Sequence, residues 1–211
     1  KYKTLPIEEK ESYRWIECAQ KSKTQLEQAK RITIIADRES DIYEEFVRVP
    51  DDKTDLIIRS KEDRLLYGED DRLYKFLGKQ SVLGQITIKL KKDQRKGQAM
   101  RLATLDIVSI PVKIKRPKNP VHKSLPEYVE LYAVEARERN APKGQEAVCW
   151  RLLTTYKADC FEIAIQVLQR YCMRWQIELL FATIKTSGLN IESSQLETGK
   201  ALKVLCVLGL Y

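Results

Sequence analysis

The sequence predicts an α/β fold, and three features of the chain support this class. RITIIAD (residues 31–37) is a short, β-branched and almost continuous apolar run, typical of a strand buried on both faces. An amphipathic helical pattern precedes it over residues 8–30, and DIYEEFVR after Ser40 is predicted as a second helix that Ser40 caps. DLIIRSK (55–61) is then predicted as another strand, so helices alternate with buried strands as in an α/β core.

The pattern changes after residue 61. The runs GQITIKL, TLDIVSIPVKIK and YVELYAVEAR follow one another, separated by polar turns that contain Gly or Pro, and they predict a mainly antiparallel β insertion. AVCWRLLTT (147–155) is predicted as a strand that returns to the core, and a long helix follows over about 160–186. We therefore expect a partial core at 1–61, an insertion at 62–146 and the returning core at 147–211.

The net charge and the cysteine pattern narrow the range of possible functions. Lys and Arg number 38 against 30 acidic residues, and the net charge of +8 favours a polyanionic partner such as nucleic acid. The five cysteines never form a CxxC pair, which argues against a disulfide framework or a zinc cluster and predicts a reducing compartment. The single histidine, His122, lies in a Pro- and Lys-rich stretch, so a histidine-based triad is not expected. No apolar run is long enough to cross a bilayer.

One face of the predicted long helix carries chemically active side chains. In YCMRWQIELLFATIK, Tyr171, Arg174, Glu178 and Lys185 stand at relative positions 0, 3, 7 and 14. At about 100° per residue they fall within an arc of roughly 60°. One interpretation is a solvated face with an ordinary Arg174–Glu178 pair. The other is that Glu178 binds a metal ion, Mg²⁺ above all, while the neighbouring cations bind phosphates.

A metal site needs a second carboxylate, and Asp37 stands at the end of the first buried strand. Open α/β sheets place their sites at the carboxyl ends of strands, which favours a functional role. The simpler alternative is that Asp37 only caps the helix that follows, as Asp often does.

Together, DRESDIYEEF after a buried strand, IIRSK, WRLLTT and the Tyr-Arg-Glu-Lys signature of the long helix resemble the DDE transposases of the insertion-sequence-four family. The resemblance covers about residues 8–210. It implies a ribonuclease H-like core, incomplete because its first strands are missing, which the β insertion interrupts. It also implies that three carboxylates hold two divalent ions, Mg²⁺ or Mn²⁺, for attack on a phosphodiester. Asp37 and Glu178 would be the second and third of these catalytic, metal-binding carboxylates.

The resemblance further implies a role in binding double-stranded DNA, both the transposon ends and the target. The chain would act as a homodimer in the DNA complex, in the bacterial cytoplasm at the nucleoid and without a membrane. Trp150 would stack with a base flipped from the transposon end, although a core role is the alternative for this tryptophan. The residues that the resemblance assigns to DNA binding are Tyr171, Arg174, Lys185, Arg59, Lys61, Trp150 and Trp175.

The first catalytic aspartate has no counterpart, since five glutamates and no aspartate precede Asp37. We expect it upstream of this chain, and we expect that the 211 residues alone do not cleave DNA. Two alternatives stay open. One is a non-catalytic DNA-binding protein derived from a transposase. The other is a different ribonuclease H-like nuclease, such as a resolvase or an RNA-cleaving enzyme, which explains the carboxylates but not the signature cations.

Overall fold

The computed structural model describes residues 5–90, 100–119, 123–183 and 200, and these form a mixed α/β fold. The chain divides into two compact units, residues 1–171 and residues 172–211. Within the described ranges, no helix combines the length and the apolar composition that crossing a membrane requires.

The first unit contains six strands and four α-helices among its described residues. The strands are β1 (Ile32–Ala36), β2 (Thr54–Arg59), β3 (Gly84–Leu90), β4 (Arg101–Lys115), β5 (Tyr128–Glu138) and β6 (Cys149–Thr154). The helices are α1 (Tyr13–Gln25), α2 (Tyr43–Arg48), α3 (Leu73–Gly78) and α4 (Phe161–Cys172). Short 3₁₀ helices lie at Ile7–Glu9 and Arg38–Ser40.

All six strands belong to one sheet, in the order β1-β2-β6-β5-β4-β3. β1 and β2 are parallel, and every other neighbouring pair is antiparallel. Each strand falls on a run that the sequence predicted as a strand, so the α/β class is confirmed. The strands of the predicted insertion, β3 to β5, continue the same sheet that holds β1, β2 and β6.

Apolar side chains cover both faces of this sheet because successive residues of a strand point to opposite sides. In β2, Leu56 and Ile58 join one buried cluster while Ile57 joins another. The first cluster receives buried side chains from α1, α2 and α3, and the second receives them from α4. The unit is therefore a three-layer arrangement in which α4 alone supplies the helical packing on the second face, among the described residues.

Two local predictions are wrong. Ser40 does not cap α2, which begins at Tyr43 without a side-chain cap; the Ser40 hydroxyl donates to the buried Glu45 carboxylate instead. The long helix is not continuous either. α4 ends at Cys172, and α5 (Trp175–Ala182) begins after a turn in which backbone hydrogen bonds from residues 176 and 177 span only three residues. No glycine or proline marks this turn.

Candidate functional site

Three strands meet at one edge of the sheet. Because β1 and β2 are parallel, with Ala36 opposite Ile58, their carboxyl ends lie side by side. β6 runs antiparallel to β2, with Leu152 opposite Arg59, so its beginning lies at the same edge. This edge therefore carries the residues that follow β1, the last residues of β2 and the first residues of β6.

Asp37 lies at this edge, immediately after β1 and half-buried. One carboxylate oxygen, Oδ1, accepts a hydrogen bond of 3.0 Å from the backbone N–H of Glu39 and so caps the short 3₁₀ helix. The capping role that the sequence allowed for Asp37 is thus present. Its other oxygen accepts no hydrogen bond from the described residues, so one donor atom is available to a ligand.

A basic depression lies at this edge, and its lining includes Arg38, the residue after Asp37, but not Asp37 itself. It consists of two adjoining cavities of about 460 and 360 Å³, which share Arg38, Arg59, Cys149 and Arg151 in their linings. We call this depression the basic groove. The side chains that matter below are Arg38, Arg59, Lys61, Tyr74, Trp150 and Arg151.

Three cations of the basic groove lack an acidic partner. Among the described residues, no carboxylate lies within ion-pair distance of Arg38, Arg59 or Lys61. Arg151 differs because it pairs with the buried Glu135. Unpaired cations that converge on a concave surface attract anions, and phosphate is the anion that arginine binds best through two parallel hydrogen bonds.

The predicted DNA-binding residues of the first unit fall into two groups. Arg59, Lys61 and Trp150 all line the basic groove, and Trp150 is half-buried against the second apolar cluster. Tyr171 instead lies inside that cluster, only 6% exposed. Its hydroxyl is buried and makes no hydrogen bond with the described residues, which leaves a polar atom that a ligand oxygen or a water could satisfy.

A buried acidic residue fixes the backbone beneath Lys61. Asp41 Oδ2 accepts hydrogen bonds from the backbone N–H groups of Lys61 and Glu62, at 2.7 and 3.0 Å. Its Oδ1 accepts from Nε and Nη2 of Arg64, at 2.9 and 2.6 Å. The segment after β1 is thus tied directly to the segment after β2, and this tie sets the position of Lys61.

Glu45 is a buried acid within α2, and no cation among the described residues forms an ion pair with it. Burial, opposed by the hydrogen bond from Ser40 and reinforced by the charge of Asp41, raises the pKa of Glu45 to about 7. Burial also raises the pKa of the Cys149 thiol, so this groove residue stays protonated at neutral pH and is a poor nucleophile.

The second unit carries the remaining predicted site residues. Arg174, which directly precedes α5, has its Nη2 2.9 Å from Oε1 of Glu178 in α5, the ordinary pair four residues apart that the sequence allowed as an alternative. Trp175 is 57% exposed. Lys185 lies outside the described residues. The turn before α5 removes the continuous helix on which the common face of Tyr171 and Glu178 was argued.

No protein-family model matches the sequence. In the described ranges, no three His, Cys, Asp or Glu side chains are grouped closely enough to hold a metal ion. The hard oxygen donors of Asp37 and Glu178 suit Mg²⁺ or Mn²⁺ chemically, but each is a single carboxylate in its own unit.

The prediction from the sequence missed two arginines of the basic groove. Arg38 directly follows Asp37, so its proximity to the candidate site was available from the sequence. Arg151 follows Trp150 in β6, and alternation places these two side chains on opposite faces of the sheet. Only the pairing of β6 with β2 and β5 shows that Arg151 also reaches the groove.

Proposed function

We propose that this chain forms part of the ribonuclease H-like catalytic core of a DDE transposase that acts on double-stranded DNA. The observation that carries the proposal is the basic groove at the carboxyl edge of a parallel strand pair, the edge that also carries Asp37. This is the edge at which α/β sheets bind ligands. The Tyr-Arg-Glu-Lys signature of the sequence supports the same assignment, and so does the sequence of β1 with the motif that follows it.

In this proposal the residues have distinct tasks. Arg59 and Lys61 bind phosphates of the DNA backbone, and Trp150 stacks with an unpaired base. By the resemblance, Asp37 and Glu178 would each be a metal ligand of the intact protein, and Glu178 would exchange its Arg174 partner for the ion. When bound, Mg²⁺ or Mn²⁺ supplies activation of the attacking oxygen and stabilises charge on the leaving oxygen. The active assembly would be a homodimer on DNA.

A second candidate is a DNA-binding protein without catalysis. It is favoured by the partners that both carboxylates already have, the Glu39 backbone N–H for Asp37 and Arg174 for Glu178. The two candidates differ in whether a divalent ion contributes to DNA binding.

The test is DNA affinity measured in EDTA and in Ca²⁺, which can occupy a carboxylate site while limiting cleavage. The variants are Arg59→Ala, Asp37→Asn and, as a control of equal charge change, Lys21→Ala on the exposed side of α1. Arg59→Ala should make the negative slope of log affinity against log salt shallower by about 0.9, because one phosphate contact is lost. Lys21→Ala should bind as the unaltered chain does.

The comparison of DNA affinity in Ca²⁺ with DNA affinity in EDTA separates the two candidate functions. The transposase core predicts tighter binding in Ca²⁺ than in EDTA, and it predicts that Asp37→Asn abolishes the difference. Equal affinity in both buffers would favour the non-catalytic candidate. Indistinguishable binding by Arg59→Ala and Lys21→Ala would count against both, since the basic groove would then not be the DNA site.

A further inference from the structure

Arg151 is held by a buried acid of the neighbouring strand. Glu135 in β5 lies directly opposite Arg151 in β6, and Glu135 is completely buried. Its Oε2 accepts a hydrogen bond of 2.5 Å from Arg151 Nε. The Arg151 side chain is 26% exposed, so it extends from a buried anchor to the surface of the basic groove.

The flat guanidinium of Arg151 is also stacked on an aromatic ring. Its central carbon lies 4.1 Å from the centre of the Tyr74 ring, within the range of a cation–π contact. The Tyr74 hydroxyl in turn lies 3.4 Å from Ser60 Oγ, beside the end of β2. Stacking fixes the plane of the guanidinium while Glu135 fixes its rotation.

This arrangement leaves most donors of Arg151 unused. A guanidinium has five N–H donors, and Nε alone is taken by Glu135. No described residue accepts from the two terminal nitrogens, which carry the other four hydrogens. A fixed pair of terminal nitrogens matches two oxygens of a phosphate, and no lysine can reproduce this geometry.

We propose that Arg151 binds a backbone phosphate of the DNA and that Glu135 is its positioning residue. The inference rests on the proposed DNA-binding function and adds an arginine whose orientation is set before DNA arrives. The second oxygen of Glu135 lies 3.4 Å from Arg137 Nη1, so the acid serves two arginines and the cluster keeps a net positive charge. The substrate class is a phosphodiester.

A positioning role of Glu135 and a simple charge effect predict opposite changes in DNA affinity when Glu135 is replaced. Removing an acid from a basic surface raises the local positive charge, and charge alone therefore predicts tighter DNA binding. A positioning role predicts weaker binding, because glutamine holds the guanidinium less firmly. Glu146, an acid that lines the groove, provides the matched control for charge.

The experiment compares Arg151→Lys, Glu135→Gln, Glu146→Gln and Arg59→Ala by DNA affinity at several salt concentrations, after thermal unfolding has confirmed that each variant is folded. Arg151→Lys should bind about tenfold more weakly with a nearly unchanged salt slope, because the charge stays and the paired hydrogen bonds are lost. Glu135→Gln should bind about fivefold more weakly, whereas Glu146→Gln should bind equally well or more tightly.

Each outcome decides the question. If Arg151→Lys binds as the unaltered chain does while Arg59→Ala is impaired, the phosphate role of Arg151 is overturned and the proposed function is kept. If Glu135→Gln tightens binding as Glu146→Gln does, the positioning role is overturned. Should Glu135→Gln fail to fold, Arg151→Lys still decides the phosphate role of Arg151, since it retains a cation beside Glu135. If every variant, Arg59→Ala included, binds DNA as tightly as the unaltered chain, the basic groove is not the DNA-binding site.

Discussion

Asp41→Ala is expected to lower the free energy of unfolding by about 3–5 kcal/mol, because it breaks a buried ion pair and leaves the partner behind. The Asp41 side chain is fully buried and the Arg64 side chain is 10% exposed. Without the carboxylate, the Arg64 guanidinium loses its counter-charge, and the backbone N–H groups of Lys61 and Glu62 lose their acceptor. Both effects act on the segment that carries Lys61.

Urea unfolding at pH 7 measures this change, with the exposed Glu17–Lys21 pair of α1 as the control. Glu17→Ala should have little effect, since solvent screens that pair. A double-mutant cycle with Arg64→Met then isolates the Asp41–Arg64 coupling. A loss of less than 1 kcal/mol in Asp41→Ala, roughly the scale of an exposed pair, would show that this tie is not structural.

Glu45→Gln is expected to remove a pH dependence of stability worth about 3 kcal/mol. The pKa of Glu45 is raised from 4.5 to about 7 in the folded chain, mainly by burial. Above pH 4.5 the unfolded chain releases this proton first, so the folded chain loses stability as the pH rises. The loss is complete once the pH has passed about 7, because both states are then ionised.

The measurement is the free energy of unfolding of the unaltered chain and of Glu45→Gln at several values between pH 5 and pH 8, roughly the range in which Glu45 titrates. The unaltered chain should become less stable across this range relative to the variant, whose amide does not titrate. Glu27→Gln, at an exposed position, should follow the unaltered chain because Glu45 is retained. Parallel curves for the unaltered chain and Glu45→Gln would mean that Glu45 is not buried as a neutral acid.

Strand positions were predictable because their signals are local. β1 is an almost continuous apolar run at the predicted position, but only its first and last residues, Ile32 and Ala36, are buried, because β1 stands at the end of the strand order. In β4 and β5, alternating side chains join the two clusters on opposite faces, as a strand with period two requires. The position of Asp37 at the end of β1 followed directly from the same reasoning.

The features that were not predicted depend on contacts between distant segments. Ser40 is a residue type that commonly caps helices, yet the Glu45 carboxyl group is an acceptor within its reach and accepts the hydrogen bond from the Ser40 hydroxyl. The role of Glu135 depends on register, since only the pairing of β5 with β6 places it opposite Arg151. The turn between α4 and α5 has no Gly or Pro signal, so helical periodicity continued through it in the prediction.

The central proposal is that this chain belongs to a metal-dependent transposase core with Asp37 and Glu178 among its metal ligands, and iron-directed cleavage of the polypeptide tests it most directly. Fe²⁺ can replace Mg²⁺ at oxygen ligands, and with peroxide it generates radicals that cut the backbone beside the bound ion. The proposal predicts cuts near Asp37 and cuts near Glu178, both suppressed by excess Mg²⁺. Asp37→Asn should remove the first set and Glu178→Gln the second. Absence of cuts near either residue, or cuts that persist in the matching variant, would contradict the role of that residue as a metal ligand and the transposase assignment that depends on it.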